Sequence, residues 1–293
     1  MFGRDPIEMT WEDVGFLHWP VDPATVADRL PDRLEVATVD GDAYLGVVPF
    51  VMRDIRIRGL PIGLSFVELN LRTYVDGPAG PGVYFHSLDA DDPIGVAIAR
   101  TLFALPYYRA DASVRREYAT ATRTGTRPNT GTDPAVETTP AAPTTTENES
   151  GAGEPPITAV HVRSRRTHGG ADLADFDATV RPTSPKTGGP TSPKASGPTS
   201  PKASSSTTAD PGTRAAFLTE NYRFYATAGD AALLPSGLYC GEIDHEPWPL
   251  REASAEIRAN TLFKANGYDH PEGDPLVHYC RSLSVTADRI RRV

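Results

Sequence analysis

Two long stretches of this chain contain no aromatic residue, and between them lies a short, strongly patterned island. That arrangement leaves few ways to fold. The first stretch, 121–156, reads "ATRTGTRPNTGTDPAVETTPAAPTTTENESGAGEPP". It cannot bury enough apolar surface to offset the entropy of ordering. The second, 182–212, opens with a tandem repeat, "PTSPKTGG", "PTSPKASG" and "PTSPKASS", beginning at Pro182, Pro190 and Pro198. Proline removes backbone donors while Ser and Gly offer no packing, which predicts an extended linker. A Thr/Ser-Pro modification array and an expanded surface insertion both fit the repeat, and composition favours the second. The island alternates Val160 and Val162 with polar neighbours, then Phe176 and Val180, around "THGG". This predicts a β-hairpin with arginines on one strand. A hairpin alone is marginal, so it must belong to a larger sheet. Residues 1–293 are therefore expected to form one domain with two disordered insertions, 121–156 and 182–212.

The flanking segments supply the rest of that sheet. Asp22 and Pro23 read as N-cap and first residue of a helix that ends before Pro31. Asp40-Gly41-Asp42 is a hairpin turn between "LEVATV" and "AYLGVVPFVMRDIRI". "LSFVELNLRTYV" and "GVYFHSL" predict strands, as do "LYCGEIDH" and "PLVHYCRSLSV". Helices are predicted over "PIGVAIARTLFAL", "TRAAFLTENYRFYA" and "REASAEIRANTLFKA". Many antiparallel strands with a few covering helices indicate an α+β, β-barrel-like domain.

Composition narrows the partners. Formal charge is −9, and only four of the 29 basic residues are lysine: Lys186, Lys194, Lys202 and Lys264. An acidic, lysine-poor surface suits a protein kept soluble in concentrated salt, and it argues against nucleic-acid binding. The N-terminal "MFGRDPIEMTWEDVGF" resembles neither a signal peptide nor a membrane span, so the cytoplasm is the expected compartment, with no membrane partner. Cys240 and Cys280 fit two buried apolar residues, and a single bridge between them also fits. The seven histidines show no ligand spacing, so neither metal nor other cofactor is expected. The composition is compatible with an oligomer.

Chemistry-bearing residues concentrate on one strand. Period-2 alternation sets Glu68, Asn70 and Arg72 on one face, with Val67, Leu69, Leu71 and Thr73 on the other. Two readings fit: an inward-facing site for a carbonyl or carboxylate, or a wet face with a Glu–Arg pair. In "IDHEPWPL", His245 is either an acid/base group beside an aromatic wall or part of a turn with a packed Trp248.

At "VELNLRTYVDGPAGPGVYFHSLDADDPIGVAIARTLFALPYYRA" the chain resembles the YqjF-like family, a domain of unknown function in the acetoacetate decarboxylase-like superfamily. "FLHWPVDPATVADRLP", "YLGVVPFVM", "FLTENYRFYA" and "HEPWPL" support the match, which covers about 10–118, 157–182 and 213–288. The resemblance implies a barrel-like α+β domain with a central cavity. Acetoacetate decarboxylases share this layout but end the helix in Gly-x-Pro-Lys-Lys, where the first lysine forms a Schiff base with the substrate ketone. Here Ala104-Leu105-Pro106-Tyr107-Tyr108 stands in that place. A phenol forms no imine, so Schiff-base decarboxylation is not expected.

The resemblance also places Glu68 near the superfamily's strand glutamate. Tyr107 or Tyr108 could then polarise a carbonyl while Glu68 accepts a proton, and Arg72, Arg163 or Arg165 could hold a carboxylate. In the alternative, the tyrosines close the barrel and bond to Glu68 or Arg72 as a structural network. The expected function is binding of a small carbonyl- or carboxylate-containing metabolite, with or without catalysis. The alternative is a non-catalytic interaction module.

Overall fold

The computed structural model describes residues 7–119, 155–183, 208–228 and 233–293. Most of the two low-complexity tracts lies outside the described residues. Strand β1 (Ile7–Val21) is followed by helix α1 (Pro23–Ala27), β2 (Glu35–Val36), β3 (Ala43–Ile57) and β4 (Leu64–Gly77). Next come β5 (Gly80–Ala90), helix α2 (Pro93–Leu102) and β6 (Tyr107–Tyr118). The island gives β7 (Ile157–Arg166) and β8 (Asp175–Pro182). Helix α3 (Arg214–Thr219), β9 (Arg223–Ala228), β10 (Gly237–His245) and β11 (Arg251–Asn260) follow. Helix α4 (Leu262–Ala265), β12 (Leu276–Ala287) and β13 (Arg291–Arg292) complete a mostly β molecule with short helices.

Local signals act as their chemistry requires. Asp22 accepts a hydrogen bond from the Ala24 amide at 2.8 Å to cap α1. Asp40 (φ 58°) and Gly41 (φ 92°) make the left-handed pair of a tight turn, bridged by Val39 and Asp42. The island is an antiparallel hairpin with Val160 opposite Val180.

Three segments depart from the sequence reading. "REASAEIRANTLFKA" was expected to be a helix, yet most of it is β11. Its period is two: Ala253, Ala255 and Ile257 pack on the core, while Glu252, Ser254, Glu256 and Arg258 face outward. Pairing with β8 over Ala253–Asn260 outweighs the intrinsic preference for helix. In "TRAAFLTENYRFYA" the helix stops at Thr219, because the aromatic-rich Arg223–Ala228 segment is held between β10 and β5. "LEVATV" contributes only the two residues of β2. The covering layer of helices is correspondingly thinner than expected.

The thirteen strands form one sheet whose pairings close on themselves. Strand β5 pairs with β4, with β9 at Val83–Tyr84 and with β6 at Leu88–Ala90. Strand β12 likewise touches β1, β10 and β11. The sheet therefore forks at β5 and again at β12. One branch runs through β6, β7, β8 and β11, the other through β9 and β10, and β1, β3 and β4 are common to both circuits.

This shared wall sorts its side chains between two interiors. Leu17, Trp19, Leu45, Val47, Leu69 and Leu71 enter a packed core with Val160, Phe176, Val180 and Phe263. Phe16, Val48, Phe50, Met52 and Phe66 enter the other interior with Leu88, Tyr107 and Trp248. On β1 the alternation changes frame at Asp13, a non-glycine residue at φ 52° within a register shift. This bulge is why Met9 and Trp11 share the second interior with Val14 and Phe16 despite their odd numbers. Its buried carboxylate accepts hydrogen bonds from Arg116, Arg281 and the Tyr279 hydroxyl.

Candidate functional site

The second interior holds a cavity of about 380 Å³, bounded by β1, β3, β4 and β5 and covered by α2. Glu68, Asn70 and Arg72 all point into it from β4. Of the two readings open for that face, the wet one fails: all three residues are buried. Tyr107, the first residue of β6, lies against Leu88 of β5 and completes the polar cluster.

The Tyr107 hydroxyl donates to Glu68 Oε2 at 2.5 Å, and Asn70 Nδ2 donates to Oε1 at 3.3 Å. Burial disfavours the charged carboxylate and raises the Glu68 group from 4.5 to about 7, with the two hydrogen bonds pulling the other way. Burial, reinforced by the Glu68 charge, lifts the Tyr107 phenol well above its ordinary value, so it remains a hydrogen-bond donor at neutral pH.

Arg72 donates from Nη2 to the Leu218 carbonyl at 3.2 Å, and its guanidinium lies 5.5 Å from the centre of the Phe16 ring. Among the described residues its Nε has no hydrogen-bond partner, nor does Asn70 Oδ1. Leu218 O also accepts from the Tyr74 hydroxyl at 2.8 Å, and Tyr74 meets His18 Nε2 at 2.6 Å. Burial holds the His18 ring neutral.

The other sequence candidates lie elsewhere. Tyr108 is on the opposite side of β6 from Tyr107. Its ring stacks 4.1 Å from the Arg166 guanidinium, which pairs with buried Asp89 through bonds of 2.7 and 3.2 Å. Arg163 and Arg165 are exposed on the hairpin and paired with Asp177 and Asp175, so neither reaches the cavity. The strand alternation that turns Val160 and Val162 inward turns these arginines outward. His245 is buried, its ring stacked 4.5 Å from Tyr222 and tilted 5.0 Å from Trp248. Trp248 lines the cavity while His245 stands behind it.

Sequence reasoning missed Phe16, Thr219, Asn221 and Phe224, which line the site from β1, the end of α3 and β9. Only the ring closure brings these distant segments together. Lys264 is exposed on α4, and no lysine among the described residues lines the cavity. Cys240 and Cys280 are buried and unpaired. No helix of the described residues is long and apolar enough to cross a membrane, and these residues contain no cluster of metal-ligating side chains.

Residues 8–284 match the family model DUF2071, described as an uncharacterized conserved protein. The uncharacterized protein YqjF of Bacillus subtilis (strain 168) is 33% identical over 282 residues, covering 95% of this chain and 89% of that one. The chain belongs to the YqjF-like family. Among solved structures, this YqjF-like chain is similar to the enduracididine biosynthesis enzyme MppR complexed with pyruvate, at TM-score 0.57 and 13% identity over 100% of this chain and 91% of that one. An acetoacetate decarboxylase-like enzyme from Sphingomonas wittichii RW1 matches at TM-score 0.55 and 14% identity, covering 99% and 94%. An acetoacetate decarboxylase matches at 0.54 and 11%, covering 100% and 91%. At these identities the likeness is one of fold.

Proposed function

We propose that the protein binds a small carbonyl- or carboxylate-containing molecule in this cavity and handles it without a Schiff-base lysine. The circuit β5–β9–β10–β12–β1–β3–β4 then serves as a barrel around the ligand. The described segments on either side of the first tract belong to one domain, a reading supported by the pairing of β6 with β7 up to Tyr118 and Ile157. The observation that carries the proposal is the buried Tyr107–Glu68 hydrogen bond at a carboxyl that titrates at about 7. A group with that value can both take and return a proton at neutral pH. When Glu68 is protonated its own O–H can donate to Tyr107, which frees the phenol to donate to a carbonyl oxygen, and Arg72 supplies the charge for a carboxylate. MppR, of the same fold, has been solved with pyruvate, which supports a keto acid as the first compound to try.

A second reading has its own observation. Tyr107 already satisfies Glu68, as a purely structural network requires. A thermal-shift screen of keto acids, hydroxy acids and apolar compounds separates the two. Ligand at about 100 times its Kd adds roughly 2.7 kcal/mol of stability. A saturable shift that Glu68→Gln or Tyr107→Phe abolishes, with circular dichroism unchanged, supports the site. A flat screen, together with a large loss of melting temperature in Tyr107→Phe, refutes it and leaves the interaction-module reading.

A further inference from the structure

Buried polar side chains gather at one end of the cavity, while Arg56, Arg223 and Asp288 line it elsewhere. Glu68, Asn70, Arg72, Thr219 and Asn221 mark that end, and the rest of the lining is dominated by aliphatic and aromatic side chains from β1, β3, β5 and α2. Three arginines line it. Arg56 pairs with Asp54 and Glu8, and Arg223 pairs with Glu242. Arg72 is buried and has no acidic partner among the described residues. A buried guanidinium left in that state is costly, and an anion from outside the chain is the partner it lacks.

At the other end, the lining reaches the surface. Ile57 on β3 and Ile98 on α2 both line the cavity, yet they are 49% and 42% exposed. Leu60, Ile62 and Ile94, on the β3–β4 turn and on α2, are more exposed still. Beyond Asn70 and Glu68, which follow Arg72 along β4, an apolar path therefore runs to a rim of isoleucines between the β3–β4 hairpin and α2.

We propose that the ligand is an amphipathic monocarboxylic acid, its carboxylate on Arg72 and its unbranched apolar chain running past Asn70 and Glu68 toward the Ile57–Ile98 rim. The inference rests on the ligand-site reading above and specifies its chemical class. The volume sets the length. About 380 Å³ accommodates roughly a dozen non-hydrogen atoms if each takes the ~30 Å³ that a water molecule takes in the liquid. That corresponds to a chain of about ten carbons ending in a carboxylate, longer than a short keto acid needs.

Calorimetric titration of the full chain with straight-chain carboxylates of four to twelve carbons, with pyruvate and with decanol, tests this. Affinity rises roughly fourfold per added methylene and levels off near ten carbons, while decanol binds far more weakly than decanoate. Ile98→Asp, at the rim, lowers the gain from the last methylenes of the chain and weakens decanoate more than butyrate. Arg72→Leu, checked for folding by circular dichroism, brings decanoate down to the level of decanol. If pyruvate and butyrate bind but longer chains add nothing, the chain is overturned and the carboxylate site stands. Equal binding of decanol and decanoate overturns the role of Arg72. No binding of any carboxylate overturns both this inference and the reading it rests on.

Discussion

Replacing Glu68 by Gln should make the protein's stability less dependent on pH, in a direction fixed by burial. An ordinary glutamate titrates near 4.5, and Glu68 titrates at about 7 because the cavity disfavours its charge. Between those values the folded chain keeps a proton that the unfolded chain releases. The contribution of Glu68 is therefore fully present below about 4.5 and is lost as pH rises to about 7. At ~1.36 kcal/mol per pH unit the loss amounts to about 3 kcal/mol. Glutamine has nearly the same shape and carries no charge at any pH, so the variant lacks this decline. Urea unfolding of both proteins at intervals from pH 4.5 to 8.5 isolates the effect, because other titrating groups cancel in the difference. The variant should gain about 3 kcal/mol relative to the parent across that range, most of it below pH 7. A difference that stays flat would show that Glu68 titrates like a solvated carboxyl. The cavity floor would then be wet, and the argument for proton transfer at neutral pH would fall with it.

Ala104 follows α2 at φ 53°, a backbone region that costs a residue with a Cβ about 1 kcal/mol or more. Ala104→Gly should raise the free energy of unfolding by up to about 1 kcal/mol, read from chemical denaturation, and a loss would refute the strain. Arg166→Met leaves Asp89 buried without its bidentate partner beneath Tyr108, and should cost about 3–5 kcal/mol in the same assay. Cys240 and Cys280 are buried, and the Cys280 thiol is pushed up to about 12 by burial. An aromatic disulfide reagent should label neither until urea unfolds the chain, and dithiothreitol should leave Tm unchanged. Rapid native labelling or a reductant-sensitive Tm would contradict this.

The polar triplet was legible because strand alternation is a local rule: Glu68, Asn70 and Arg72 share a face wherever β4 ends up. Whether that face was wet or dry was not legible, since it depends on β9, β10 and α2 closing over it. Tyr107 and Tyr108 could not be separated from one another by spacing alone. Strand β6 turns one toward Glu68 and the other onto Arg166. The misread β11 shows how composition can mislead. Alanine and glutamate favour a helix in isolation, but the two-residue period of Ala253, Ala255 and Ile257 was visible in the sequence and deserved more weight. Phe16 and Met9 lay outside any periodic reading, because the bulge at Asp13 changes the frame of β1 partway along.

The strands common to both circuits have a consequence for how this fold can diversify. Neighbouring residues on β4 face different interiors: Leu69 and Leu71 the solid core, Glu68, Asn70 and Arg72 the cavity. Substitutions at the even positions can change the polarity of the cavity while the odd positions go on holding the wall in place. Drift at the odd positions, in turn, need not alter the cavity lining. A lineage built on such a wall can change what its cavity presents without refolding.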